Sequence, residues 1–224
     1  IKQIHFEMPQ DALTNSSSKI KKWRLKDNEI PTICLDLGVH LHNLAYFIIR
    51  KEPKRVMANF FNNSKHKKLI DNVLMWLEYN NGMRGSFWMS KTAIGNRNGL
   101  RLRVFGDKGS GEWIQNNSEE LHMAYKNGTR KIIDRGEKSL ISNKKRYNRY
   151  KAGHPAGFIE AFANLYFDIV DNLINFNKLK KEKNSNVFDL DHSLRGLELF
   201  TSSCKSNRNR SWETINYSIK ESNL

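Results

Sequence analysis

The spacing of apolar and polar residues divides the chain into three sections. Residues 1–9 predict an opening strand, residues 10–18 a polar loop, and residues 33–50 a helix that ends before Pro53. Short β-like runs separated by turns that contain Asn or Gly follow at 54–61, 69–79, 83–92, 100–105, 111–115, 121–125 and 129–134. The pattern predicts an antiparallel meander after the first helix.

Two of these runs indicate how the sheet is covered. Residues 100–105 alternate leucine or valine with arginine, which is typical of a strand with one wet face. Residues 73–79 are apolar on both faces, so we expect a central strand.

The last section is predicted to be helical. Its first helix follows the turn G-H-P-A-G, with Pro155 in the first helical turn. Apolar residues at spacings of three and four form one stripe on this helix: Phe158, Phe162, Leu165, Ile169, Leu173 and Phe176. A polar connection at 178–186, a second helix capped by Asp191 or Ser193, and a closing strand at 212–217 complete the chain.

The order of elements predicts an α+β domain, a large open, mainly antiparallel sheet with helices on one face, as a single unit over residues 1–224. Three helices can cover only about one face of such a sheet, so we expect the other face to meet another subunit. Trp76, Trp88 and Trp113 are candidates for that contact, and ordinary core packing is the alternative for each.

Composition narrows the class of protein. The sequence is 38% hydrophobic, enough for a packed core, and no run approaches the roughly 20 apolar residues of a membrane helix. Cys34 and Cys204 give neither a disulfide framework nor a zinc spacing, which favours a reducing, cytoplasmic setting. The first residues show no initiator Met and no signal peptide, so we expect a fragment.

The net charge of +15 raises nucleic acid as a partner. The basic residues are spread along the chain, and their clusters at 19–24, 144–151 and 178–183 form no DNA-reading motif. We therefore expect no nucleic-acid partner, whereas phosphorylated or acidic small molecules remain compatible with the charge.

Asp36 and His40 are the strongest candidates for chemistry. Their spacing of four would place both side chains on one face of a helix. A carboxylate beside an imidazole in apolar surroundings makes an acid/base pair that can transfer protons at neutral pH. The alternative is an ordinary structural pair, since ion pairs also form without catalysis.

Three stretches together resemble one family: D-L-G-V-H at 36–40, N-G-L-R-L-R-V-F-G-D-K-G-S-G-E-W at 98–113, and A-G-H-P-A-G-F-I-E-A-F-A-N-L-Y at 152–166. In order and spacing they look like the C-terminal domain of the glucose-fructose oxidoreductase and inositol dehydrogenase (Gfo/Idh/MocA) family. With W-R at 23–24 and S-W-E-T-I at 211–215, the similarity covers nearly the whole chain.

The resemblance implies the substrate-binding and oligomerising half of an NAD- or NADP-dependent dehydrogenase that acts on a sugar, sugar derivative or polyol. The coenzyme would be bound mainly by an N-terminal Rossmann domain, which is absent here: Gly106, Gly109 and Gly111 have the wrong spacing for its fingerprint. The family's Lys-Pro element is also missing. By resemblance His40 is the general acid/base and Asp36 orients and charges its imidazole, while this fragment alone would be inactive.

Other residues are substrate-binding candidates. Arg24 and Lys22, just before the catalytic helix, could reach a substrate carboxylate or phosphate, and exposed basic side chains are the alternative. His154 at a predicted helix start, and Arg97 and Asn98 after a strand, are candidates through the family match.

No metal is predicted, because the remaining histidines have no ligand spacing with cysteines or carboxylates. These are His5, His42, His66, His122 and His192. Two further functions stay open: a non-enzymatic binding or assembly module with the same fold, and a basic nucleic-acid-binding domain. The sugar, the choice between NAD and NADP, and dimer against tetramer are all left open by the sequence.

Overall fold

A computed structural model describes residues 1–14, 20–138, 142, 144–179 and 187–219, so the predicted loop 10–18 and the connection 178–186 lie partly outside the described residues. Within these ranges the predicted order of strand, helix, strands, two helices and strand is confirmed. The strands are β1 (Gln3–Pro9), β2 (Arg55–Phe61), β3 (Asn72–Glu78), β4 (Arg84–Ser90), β5 (Arg101–Phe105), β6 (Gly109–Ile114), β7 (Glu120–Tyr125), β8 (Arg130–Asp134) and β9 (Glu213–Thr214). The helices are α1 (Val39–Ile49), α2 (Phe158–Leu179) and α3 (Leu190–Asn209).

The strands form one open sheet in the order β8-β7-β6-β5-β1-β4-β3-β2-β9. The prediction of one continuous meander is wrong at its centre, because β1 lies between β4 and β5 and runs parallel to β4. The alternation of apolar and polar residues identifies a strand but does not show which strands lie next to it. Ile4 and Phe6 of β1 are buried, as expected for a strand in the middle of the sheet. The carboxyl ends of β1 and β4 therefore meet at one edge, where Pro9 pairs with Ser90.

The core lies between the inner face of the sheet and the helices α1 and α3. Fully buried side chains meet there from both layers: Ile4, Phe6, Phe87, Met89, Leu199 and Phe200. Each such side chain contributes about 1.5–3 kcal/mol through its burial. On β2, the N–H groups of Ala58 and Phe60 donate to Ser206 Oγ (2.9 Å) and Asn207 Oδ1 (2.8 Å) of α3. The helix therefore also covers the part of this strand's edge that β9 does not pair with.

The outer face of the sheet is uncovered in this chain. On β3, Leu74 is 42% exposed and Trp76 is 56% exposed, although the strand is apolar on both faces. The strand does lie inside the sheet, between β2 and β4, and its apolar outer face remains open. Trp88 and Trp113 are partly buried, which leaves Trp76 as the exposed member of the three predicted contact residues.

The wet face predicted for β5 is confirmed. Leu102 is buried, whereas Arg101 and Arg103 lie on the outer face and each stands 3.6 Å from a carboxylate oxygen of Glu7 on β1. The outer face thus carries exposed apolar side chains on β3 and charged side chains on β1 and β5.

The start of α3 differs from the prediction. Asp189 is its N-cap, with Oδ1 accepting a hydrogen bond from the His192 N–H at 3.0 Å, so the prediction of Asp191 or Ser193 is wrong. Both lie inside the first turns, where the backbone donors need an acceptor from the residue before the helix. The predicted closing strand is reduced to the two residues of β9.

Helix α2 forms as predicted, but its first turn lies later. Pro155 precedes the helix start at Phe158, so its predicted place in the first turn is wrong. Glu160 Oε2 accepts a hydrogen bond from the Gly157 N–H at 3.0 Å, which satisfies a donor at the actual start. The apolar stripe is largely exposed: Leu173 is 58% exposed and Phe176 51%.

Candidate functional site

The approach to α1 is a wide helical turn. Residues Cys34–Gly38 form a π-helical turn that runs directly into α1 at Val39. Such turns alter the angle between side chains before and after them, and they occur frequently at functional sites. Asp36 lies within the turn and His40 lies just beyond it, in the first turn of α1.

Asp36 is held by two cations. Its Oδ1 accepts a hydrogen bond from Arg24 Nη2 at 3.1 Å, and its Oδ2 is paired with the Lys91 ammonium. The side chains of Asp36 and Lys91 are 15% and 6% exposed, whereas that of Arg24 is 39% exposed. The carboxylate is therefore mostly buried and bound on both oxygens.

Lys91 was not among the residues predicted for the site. It is the first residue after β4, and both of its backbone groups are engaged: its N–H donates to Asp71 O at 2.8 Å, and its C=O accepts from Leu13 N–H at 2.8 Å. The available signal was a lysine that directly follows an apolar strand. Its partner could not be read from the sequence, because Asp36 is 55 residues away along the chain.

His40 presents a different environment. It is exposed on α1, and within the described part of the chain its imidazole has no hydrogen-bond or ion-pair partner. The two oxygens of Asp36 contact Arg24 and Lys91, so the orienting role predicted for Asp36 toward His40 stays a prediction. The ring of His40 is free to meet a ligand.

Two of the other candidates are at the sheet edge where β1 and β4 end. Arg97 and Asn98 are exposed in the loop between β4 and β5, and Asn98 Oδ1 accepts a hydrogen bond from Gln10 Nε2 at 2.7 Å. Because Gln10 directly follows β1 and Lys91 directly follows β4, this loop lies at the same edge as Lys91. Crevices outside the carboxyl ends of parallel strands are common ligand sites in α/β sheets.

Lys22 and His154 are placed less favourably. Lys22 is exposed in the short helix Lys22–Leu25 that also carries Arg24. His154 is exposed before the start of α2 instead of at a helix start, its C=O accepts from Arg135, and its Nδ1 is 3.0 Å from Lys151 O. These contacts place His154 near the end of β8, at the edge strand of the sheet.

A second group of ionisable residues is buried beside α1. His42 Nε2 is 2.9 Å from Glu52 Oε2, and Arg195 Nε donates to Glu52 Oε1 at 3.2 Å. The ring of His192 stacks on that of His42, with centroids 4.6 Å apart and planes at 18°. These histidines have no ligand spacing along the sequence, yet the fold brings them together.

His42, Glu52 and His192 are the group within the described residues whose ligand atoms come close enough to hold a metal, within 4.8 Å of one another. Both ring nitrogens of His192 are buried without a hydrogen bond. Two observations count against a cation: Arg195 already neutralises Glu52, and nearly parallel rings direct their nitrogen lone pairs into separate planes. The prediction of no metal therefore stays a prediction with a structural argument behind it.

The same burial controls the charge of His192. The pKa of His192 is lowered to about 4, chiefly by burial and in part by the neighbouring His42, while Glu52 opposes the shift. His192 is therefore neutral at physiological pH.

The cysteines are both free and buried. Burial raises the pKa of the Cys34 thiol well above its usual range and that of Cys204 to about 11. Neither is therefore suited to act as a nucleophile or a metal ligand as it stands.

The fold is shared with solved structures of oxidoreductases. A crystal structure of an inositol dehydrogenase homologue from Azotobacter vinelandii, in complex with NADH and myo-inositol, matches with a TM-score of 0.83 and 22% identity, over 95% of this chain and 56% of that chain. A levoglucosan dehydrogenase in complex with NADH and L-sorbose matches with a TM-score of 0.76 and 14% identity, over 96% and 58% of the respective chains. At these identities the likeness shows the fold.

The model of the GFO/IDH/MocA C-terminal domain matches residues 1–112, half of the sequence. The chain belongs to this family, as the sequence predicted. The uncharacterized oxidoreductase YfiI of Bacillus subtilis (strain 168) is 29% identical over 188 residues, which is 80% of this chain and 47% of YfiI. The chain thus spans about half the length of this curated relative.

The glycines between β5 and β6 do not form a phosphate-binding loop. The Gly106 N–H donates to Gly109 O at 2.9 Å, which closes a tight hairpin between the two strands. A phosphate-binding loop would instead lead into the start of a helix. No helix among the described residues has both the length and the apolar character needed to cross a bilayer.

Proposed function

We propose that residues 1–224 are the substrate-binding and catalytic half of an NAD(P)-dependent oxidoreductase that acts on a hydroxyl of a sugar, sugar derivative or polyol. The observation that carries the proposal is the exposed imidazole of His40, which has no partner among the described residues and follows the mostly buried Asp36, in a chain of the GFO/IDH/MocA family. The sugar-like ligands named for the two solved dehydrogenases support the substrate class.

In this proposal His40 is the general acid/base. Its neutral imidazole accepts the proton of the substrate hydroxyl while the carbon bearing that hydroxyl loses hydride and becomes a carbonyl. Bound NAD or NADP supplies the hydride acceptor. Asp36, whose two oxygens are bound by Arg24 and Lys91, is proposed to orient the imidazole of His40 and to stabilise the protonated form produced in this step.

Residues at the sheet edge and before α1 would bind the substrate. Arg24 and Lys22 are proposed to contact an anionic or hydroxyl oxygen, and Arg97 and Asn98 to contact sugar hydroxyls from the loop between β4 and β5. Arg24 has a competing partner in Asp36, so we expect its contribution to be shared between that carboxylate and the substrate. His154 is kept as a proposed contact by resemblance, since its imidazole is exposed.

The coenzyme is proposed to be bound mainly by an N-terminal Rossmann domain outside residues 1–224. The length of YfiI and the hairpin formed by Gly106 and Gly109 support this division, since the described residues supply no dinucleotide fingerprint. Residues 1–224 alone would then be inactive.

The outer sheet face is proposed to form a homo-oligomer. Leu74 and Trp76 give it exposed apolar surface beside the charged rows of β1 and β5. The alternative function, a non-enzymatic assembly module, would use the same face. We propose no nucleic-acid or membrane partner, and a cytoplasmic location, for which the two free buried thiols are the supporting observation.

The test is a coenzyme reduction assay on the full-length protein that contains residues 1–224, against a panel of sugars, uronates and polyols with NAD and NADP. His40→Ala is expected to lower kcat by at least about 100-fold, because general acid/base catalysis contributes roughly that much or more. The matched control is Lys51→Ala, an exposed side chain just after α1. Full activity in His40→Ala, or no turnover of any substrate, would overturn the proposal.

A further inference from the structure

The pairing of Lys91 with Asp36 requires an explanation beyond folding. The ammonium of Lys91 is almost fully buried, with its side chain 6% exposed. Removing a charged amine from water costs several kcal/mol, and a buried ion pair is often no more stable than apolar residues of the same volume. Packing alone therefore gives little reason for a lysine at this position.

The charges at Asp36 do not balance. Arg24 already contacts Oδ1, and Lys91 adds a second cation at Oδ2, so the three side chains carry a net charge of +1. Neutralising Asp36 would need only one of them. The second cation must act on something other than the charge of the carboxylate.

The geometry indicates that the second cation, Lys91, orients the carboxylate of Asp36. The backbone of Lys91 is fixed, because its N–H and C=O are hydrogen-bonded to the backbone of Asp71 and Leu13, and its side chain is almost fully buried. Arg24 is half-exposed, lies on a short helix, and contacts the other oxygen of the same carboxylate. Two cations on opposite oxygens fix the plane of the carboxyl group, which a single cation cannot do.

A fixed carboxylate retains capacity for a third donor. An ionised carboxylate has about four acceptor positions, and Arg24 and Lys91 use one each. The side chain of Asp36 is 15% exposed, so part of the carboxyl group remains open to solvent. A protonated imidazole or a substrate hydroxyl can therefore donate a hydrogen bond to the Asp36 carboxylate in a defined direction.

We infer that Lys91 is a positioning residue of the oxidoreductase reaction: it holds the Asp36 carboxylate in the orientation from which Asp36 assists proton transfer at His40. The inference rests on the proposed function. Lys91 touches neither the hydroxyl nor the coenzyme in this role, and acts through Asp36. Its loss should therefore affect the catalytic step more than substrate binding.

The test compares Lys91→Met, Lys91→Arg and His40→Ala in the full-length protein. Lys91→Met keeps the length of the side chain and removes its charge, and Lys91→Arg restores a donor to Oδ2. We expect Lys91→Met to lower kcat about 10-fold or more with KM changed less than about 3-fold, and Lys91→Arg to recover at least a third of kcat. The acid side of the kcat/KM profile should move to higher pH in Lys91→Met, because a positive charge is lost near His40.

The outcomes separate this inference from the proposed function. Loss of activity in His40→Ala together with wild-type kcat and pH profile in Lys91→Met would overturn the role of Lys91 and leave the proposed function intact. Full activity in His40→Ala, or no turnover by the wild type, would overturn both. If Lys91→Met does not fold, Lys91→Gln and Lys91→Arg are compared, and equal kcat in those two would overturn the inference.

Discussion

Gly38 lies directly against the ring of Phe200, between Asp36 and His40 along the chain. A β-carbon at position 38 would be 2.8 Å from Cζ of Phe200 and 3.0 Å from Sδ of Met89, closer than side chains normally approach. The absence of a side chain thus lets the turn that carries the site pack onto α3 and the sheet. The position of the site depends on this contact.

Gly38→Ala should therefore destabilise the protein, although the same change at an open helical position stabilises by about 1 kcal/mol. Overpacking against two fully buried side chains costs about 1–3 kcal/mol, so after the helical gain we expect a net loss of up to about 2 kcal/mol in urea unfolding. Phe200→Leu in the same background should recover part of that loss, because it makes room at the contact. Strictly additive effects of the two substitutions would show that the contact is not responsible.

The stability of the domain should fall between pH 7 and pH 5 because of His192. Burial lowers the pKa of His192 to about 4 in the folded state, against 6.5 for an ordinary histidine. Between these values only the unfolded chain binds the proton, so acid favours unfolding, by about 2 kcal/mol at pH 5. His42 and Arg195 face the ring and also lower its pKa, whereas Glu52 and Asp189 raise it.

His192→Phe removes this titration while keeping a ring that can stack on His42. The measurement is the free energy of unfolding in urea at pH 7 and at pH 5, for the wild type and for the variant. We expect the difference between the two pH values to shrink by about 2 kcal/mol in His192→Phe. An unchanged difference would mean that His192 is not the group responsible.

The sequence predicted the fold class and most element bounds well, because strand alternation and helical spacing are local properties. The sheet of α+β type and the order of its elements follow directly from these patterns. Neighbour relations do not: the insertion of β1 between β4 and β5 depends on contacts more than 70 residues apart, such as Phe6 with Phe87. The N-cap Asp189 was also missed, since three nearby residues suit the same position.

Local spacing and the family resemblance named the Asp36 and His40 pair, but neither named the partners of Asp36. His40 and Asp36 lie on one short segment and could be named, whereas the partners of Asp36 come from distant segments. Lys91 follows a strand 55 residues later, and no local pattern distinguishes it from the many other lysines of this chain. The apolar stripe on α2 is a further case in which a local pattern does not identify the contact partner. The spacing of its apolar residues predicts a helix but does not show what packs against them.

Cys34 and Cys204 should react slowly with a thiol reagent such as DTNB in the native protein. Both are buried, and burial raises the pKa of Cys204 to about 11, so the thiolate fraction at pH 8 is about 100-fold below that of a free cysteine. The measurement is the release of thionitrobenzoate with and without guanidinium chloride. Full labelling is expected in denaturant, and rapid labelling of either thiol under native conditions would contradict the structure.

Trp76→Glu should weaken self-association if the outer sheet face forms the oligomer. Trp76 is 56% exposed and lies beside Met57 and Leu74, so a carboxylate there would be buried against apolar surface in any complex that covers this face. We expect at least a 10-fold weaker association of the full-length protein, measured as molar mass by light scattering over a dilution series. Ile94→Glu is the matched control, because Ile94 is 83% exposed in the loop after β4 and outside the apolar patch. An unchanged mass in Trp76→Glu would place the oligomer contact elsewhere and leave the apolar face of β3 without an assigned role.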